Sequence, residues 1–225
     1  MKKSICILVL FALITAGAFA ADLSMSAGGG LLLDISGNNG IKLDISEFKG
    51  YVGIRNLSFG GFVFFDLTYA EFDISIAYGS ITGVLRDDAK DFDDFDFSGS
   101  IAQLGFSLLG KYPIDLGAVT FFPLLGINYN VVLSAKDKDG YTIEDIEELN
   151  FKTSYFNQFG FLLGAGLDVS LTQSLFLRAE TMLQIRLPCK AFKKAADLMK
   201  DYMDLSPDTT IGLGPRFKIG IGYKF

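Results

Sequence analysis

The last fifteen residues of the chain alternate without a break. Ile211, Leu213, Pro215, Phe217, Ile219, Ile221, Tyr223 and Phe225 are apolar, and Gly212, Gly214, Arg216, Lys218, Gly220, Gly222 and Lys224 lie between them. A period of two over that length predicts a β-strand with one apolar face. The same phase runs through 119–133, 159–171 and 175–187. Together these segments put 30 residues on the apolar face and none is charged, although a chain that is 20% charged would place about six there by chance. The opposite face has 26 residues, of which seven are charged and eight are glycine.

Weaker alternation predicts four earlier strands, at 23–35, 59–70, 72–84 and 101–112, for a total of eight. Tight turns are expected near Tyr69–Phe72, Pro113–Gly117 and Thr172–Ser174, with long polar links at 36–58, 86–100, 134–157 and 188–210. Short turns at one end and long loops at the other are the layout of a membrane-spanning barrel. Gly37-Asn38-Asn39-Gly40 is a good hairpin turn, and Ile41, Leu43 and Ile45 alternate after it, so the first link is open to strand extensions, with a ten-strand count as the alternative.

The N-terminus has Lys2 and Lys3, an apolar run from Ile5 to Ile14, and Ala18-Phe19-Ala20 before Ala21. This order predicts a secretory signal peptide over 1–20 and a mature domain over 21–225. Cleavage would leave Cys189 as the sole cysteine, so no internal disulfide can staple the fold. It would also shift the formal charge from −6 to −8, which argues against nucleic acid as a partner.

Alternation alone does not say which face looks outward. A wetted strand surface favours polar side chains such as Thr and Lys, whereas the polar face here is crowded with glycine. Inside an eight-stranded barrel the lumen is only just wide enough for side chains, and glycine opposite Arg, Glu or Phe relieves the crowding. The polar face is therefore expected inside and the apolar face outside, against lipid. The fold class predicted is all-β: an eight-stranded antiparallel up-and-down transmembrane barrel with short helices in long extracellular loops.

The C-terminal Lys218-x-Gly220-x-x-Tyr223-x-Phe225 resembles the targeting signal of bacterial outer-membrane proteins. The resemblance implies export to the cell outer membrane and recognition by the barrel-assembly machinery. In layout the mature chain is similar to eight-stranded outer-membrane barrels of the OmpA/OmpX and OmpW type, with no residue-by-residue match to any member. Fold does not fix function.

Enzymes built on such barrels resemble hydrolases and acyltransferases that rely on His, and this chain has no His. No catalytic residue and no cofactor is expected. The residues predicted to face the lumen with charge are Asp66, Asp73, Lys111, Asp168, Arg178, Glu180, Arg216 and Lys218. Buried charges must be paired, so an ion-pair network filling the lumen is the first reading and a polar gate the second. Phe62, Phe64, Phe122, Leu124, Leu162, Phe176 and Met182 share that interior, packed together or, as the OmpW resemblance implies, around a small hydrophobic molecule.

Asp87, Asp88, Asp91, Asp93, Asp94 and Asp96 crowd the second loop in no defined calcium spacing, so a solvated acidic loop and no metal is expected. Asp137-x-Asp139-Gly140 reads as a turn. Helices are predicted in the third loop, with Ile143, Ile146 and Leu149 on one face, and in the fourth, with Phe192, Ala195, Ala196, Met199 and Met203.

The function expected is that of a non-enzymatic surface barrel whose loops provide structure or contact with extracellular protein or lipid headgroups. The alternatives are a narrow channel for small, hydrophobic solutes and a soluble periplasmic ligand-binding barrel.

Overall fold

The computed structural model describes residues 24–45, 48–87, 98–142, 152–203 and 207–225. The segment expected as a signal peptide, the acidic run from Asp88 to Asp96 and the helix expected in the third loop lie outside the described residues.

Eight long strands close into a ring: β1 (Met25–Ile45), β2 (Phe48–Leu67), β3 (Ala70–Asp87), β4 (Ser98–Lys111), β6 (Val119–Asp137), β7 (Gln158–Ser170), β8 (Leu175–Arg186) and β10 (Gly212–Lys224). Each pairs antiparallel with the next, and β10 pairs with both β8 and β1, so the sheet has no open edge. Leu33 lies opposite Phe217 across the closure, and Phe225 N–H donates to the Met25 carbonyl at 2.9 Å. Two short strands, β5 (Ile114–Asp115) and β9 (Asp208–Thr210), add to neighbours outside the ring. The fold is an eight-stranded antiparallel up-and-down barrel.

The short-turn end is built as the turn chemistry requires. Gly117 adopts φ +91°, and its N–H donates to the Asp115 carboxylate at 2.8 Å. Thr172 Oγ1 accepts from the N–H groups of Ser174 and Leu175 at 3.3 and 3.0 Å, closing the β7–β8 turn.

At the opposite end the first connection differs from expectation. Gly37–Gly40 is not a hairpin turn but lies within β1, where the register against β2 shifts between Ser36 and Asn39. Ladder pairing continues to Ile45 opposite Phe48, so the segment expected as a 23-residue link at 36–58 is mostly paired strand. Glycine in a strand marks a bulge as readily as a turn, and pairing on both sides decides between them. In the third connection, Asp137 accepts from the N–H groups of Asp139 and Tyr141 at 2.9 Å each, and Gly140 takes φ +90°. The fourth carries the helix α1 (Lys190–Met203), with Ala191 and Ala196 buried.

Alternation along each strand divides the residues between two faces. On β10, Phe217 is 42% exposed and Ile219 60%, whereas Arg216 and Lys218 are 1% and 2% exposed. The apolar residues thus form the outer wall. Tyr69, Phe72, Tyr112, Tyr223 and Phe225 are exposed toward the short-turn end, and Tyr78, Tyr129 and Phe159 toward the other. Inward glycines make room for rings: a Cβ on Gly222 would overlap Phe176, and one on Gly166 would overlap Phe122.

Candidate functional site in the barrel lumen

The interior toward the short turns is filled by charge. The β2–β3 hairpin carries Asp66, Glu71 and Asp73 inward; β4 supplies Lys111, β7 Asp168, β8 Arg178 and Glu180, and β10 Lys218. Arg178 sits among them, 1% exposed. Its Nη2 donates to Asp66 at 2.8 Å and to Asp168 at 2.7 Å, its Nε to Asp168 at 2.7 Å, and its Nη1 to Glu71 at 2.6 Å. A planar fork bridging three carboxylates is geometry that Arg supplies and Lys does not. Lys218 Nζ meets Asp73 at 2.5 Å, Glu180 at 3.0 Å and Glu71 at 3.4 Å, while Lys111 meets Asp66 at 2.5 Å.

Aromatic rings enclose these cations. The Arg178 guanidinium lies 4.4 Å from the Phe64 centroid, 5.1 Å from Phe122 and 5.2 Å from Phe176, and Lys218 Nζ lies 5.0 Å from Phe62. Ring faces attract cations most when water is excluded, so the interior Phe residues continue the charge network. Leu32, Phe62, Phe64, Ala77 and Phe176 form one buried cluster, and Leu109, Phe122, Leu124, Leu162 and Met182 a second.

Toward the long-loop end the interior is mostly neutral and hydrogen-bonded. Gln184 donates to Asn128 at 2.9 Å, Gln103 to Ser58 at 3.1 Å and Ser58 to Asn56 at 2.7 Å. Among the described residues one ion pair is present there, Arg186 with Asp34 at 2.7 Å, supported by Ser36 at 2.8 Å. Above it Ile81, Ile101, Val132 and Ala135 pack with Phe156 from the third connection. A cavity of about 20 Å³ with a mixed lining lies under this cap, bounded by Asn39, Asn56, Gln103 and Arg186 and by Ile81 and Phe156 among others, with room for about one water. Burial pushes the Cys189 thiol up from its ordinary range, so it is protonated at neutral pH and a poor nucleophile.

Seven of the eight charged residues picked out in the sequence meet in the one network: Asp66, Asp73, Lys111, Asp168, Arg178, Glu180 and Lys218. Arg216 does not join it. Buried beside Lys218 on the same face, it donates from Nη2 to Ser75 at 3.1 Å, while Nε and Nη1 have no hydrogen-bond partner among the described residues. One participant, Glu71, was missed, as was the separate pairing of Asp34 with Arg186. Glu71 lies two residues before Asp73 in the same inward phase, hidden by placing it in the turn. Asp34 and Arg186 share the inward phases of β1 and β8, and only the strand register brings them together. At the C-terminus, Tyr223 and Phe225 face outward with ring centroids 5.6 Å apart, and Lys218 and Gly220 are on the inward side. Among the described residues no group of three His, Cys, Asp or Glu side chains is placed to hold a metal.

The ring closure and the inward charges invite comparison with solved structures. The outer-membrane protein OprG of Pseudomonas aeruginosa superposes with a TM-score of 0.50 at 16% identity, over 90% of this chain and 95% of that one. The chain has the fold of the bacterial outer-membrane barrels. Ail, the attachment invasion locus protein of Yersinia pestis, gives 0.43 at 12% identity over 91% of this chain and 100% of its own. A major outer membrane protein of Thermus thermophilus gives 0.42 at 16% over the same shares. No protein-family model matches the chain, and no curated relative matches it in sequence.

Proposed function

We propose that this chain is a non-enzymatic, non-conducting barrel of the bacterial outer membrane that carries its long loops as a contact surface. The observation behind the reading is the filled lumen. Phe176, Arg178, Phe122, Leu162 and Gln184 are all at most 1% exposed and are spread along the interior from the short-turn end toward the long loops. A water-filled pore needs a continuous wetted path, and interdigitated side chains at packed density interrupt one.

In this reading the signal peptide directs export and the C-terminal Lys218, Gly220, Tyr223 and Phe225 are read by the barrel-assembly machinery. The exposed apolar wall then meets lipid, since a soluble protein rarely leaves so large a contiguous apolar surface in water. The loops, with α1 over the mouth, are the part free to touch extracellular protein or lipid headgroups. The acidic run from Asp87 to Asp96 and the His-free composition leave contact, not chemistry, as their role.

Planar-bilayer recording on the refolded protein tests this reading. A silent membrane with demonstrable insertion supports it; stepwise conductance would establish the channel reading instead. Fractionation tests the location: recovery in the soluble periplasm without detergent would overturn it.

A further inference from the structure

Two polar atoms on side chains that line the small cavity beneath the mouth cap have no hydrogen-bond partner among the described residues: Arg186 Nε and Asn39 Oδ1. Both residues are 2% exposed. One atom can only donate and the other can only accept. They reach the cavity from the two strands that flank β10. Arg186 is the ladder partner of Gly212 on the β8 side, and the Asn39 amide comes from the β1 side to within 2.9–3.2 Å of where a Cβ on Gly212 would stand. The rest of the guanidinium is engaged. Nη1 donates to Ser36 at 2.8 Å, and Nη2 to Asp34 at 2.7 Å and Gln184 at 3.1 Å.

We infer that this cavity is a site for one ordered water, which accepts from Arg186 Nε–H and donates to Asn39 Oδ1, bridging β8 to the bulge of β1. Size limits the occupant, since about 20 Å³ admits a single water and no larger solute. Chemistry selects among what is left. An anion would face the Asn39 carbonyl oxygen and a metal cation would face the guanidinium, whereas a water both accepts and donates. An apolar filling would leave a buried N–H of a charged group and a buried carbonyl oxygen unsatisfied, each at the full cost of its desolvation. Two bonds to such groups outweigh the entropy of holding one water still. Asn56 and Gln158 also line the cavity and can take the water's remaining bonds. Phe156 and Cys189 complete the lining, so the cap and the foot of α1 rest on a polar floor that the water completes.

Val132→Ile separates a wet cavity from a dry one by the sign of its effect. Val132 lines the cavity and is 6% exposed, so the added methyl enters the same space. In a dry cavity that methyl would bury apolar surface and lower the unfolding constant. Here it displaces the bridge and strands Nε and Oδ1, which outweighs one methylene, so the unfolding constant in urea rises by about threefold or more. Crowding alone would cost the same in an Asn39→Leu background, a change close in shape that removes the acceptor; loss of the bridge costs less there.

The direct test is a crystal structure of the refolded barrel in detergent, at a resolution that shows ordered water, with a second data set from crystals grown in bromide. A peak in the cavity within hydrogen-bond distance of both Arg186 Nε and Asn39 Oδ1, silent in the bromide anomalous map and absent from Val132→Ile, is the expected result. No peak, a peak that touches neither atom, or an anomalous signal at the site would each overturn the inference. So would a Val132→Ile protein more stable than the unaltered one, or one whose loss is unchanged in the Asn39→Leu background.

Discussion

The two halves of the lumen solve the same packing problem with different chemistry. Toward the short turns, three cations and five carboxylates interlock around Arg178 and are walled by Phe62, Phe64, Phe122 and Phe176. Toward the long loops, amides and hydroxyls carry the contacts, with one ion pair and an aliphatic cap. A charge network is stable only while complete, since each charge depends on its partners to offset desolvation. A neutral network loses less when one member goes. The short-turn half is therefore the brittle half, and the long loops stand over the tolerant one.

Substitutions at three arginines separate the halves. The largest effect is expected for Arg178→Ala, which strands Asp66, Glu71 and Asp168 without their shared partner. Urea unfolding in vesicles should report a loss of about 3–5 kcal/mol, the range for a broken buried pair. Arg186→Gln comes next: it abandons Asp34 but keeps an amide near Ser36 and Gln184, so the loss should be about 1–3 kcal/mol in the same assay. The smallest belongs to Arg216→Met. Among the described residues this buried cation has no carboxylate partner and gives up only the Ser75 bond, so stability should change by less than about 1 kcal/mol, or rise. Equal losses at all three sites would erase the distinction between the halves.

Much of this was legible in the residues because a barrel of this size writes its two faces into a period of two. Phe217 and Ile219 outside, Arg216 and Lys218 inside, and glycines opposite rings follow from phase and lumen width. Phase does not report register. Asp34 and Arg186 are 152 positions apart, and no local pattern links them before β8, β10 and β1 are placed side by side. In the first link the strand extension through Ile41, Leu43 and Ile45 is present but the turn before it is not: Gly37-Asn38-Asn39-Gly40 has turn chemistry, and the pairing of Ile41 with Val52 and of Leu43 with Gly50 carries the ladder through it. Arg216 shares its phase with Lys218, yet its length carries it to Ser75 and away from the carboxylates.

Lipid against the apolar wall is the central claim. The chain has no Trp, so Phe217→Trp gives a single reporter on that wall and Phe176→Trp one in the lumen. In vesicles with brominated acyl chains, fluorescence from position 217 should be quenched by the lipid and ignored by aqueous iodide, while position 176 should be shielded from both. Quenching of position 217 by iodide, with no effect of the brominated chains, would contradict the account.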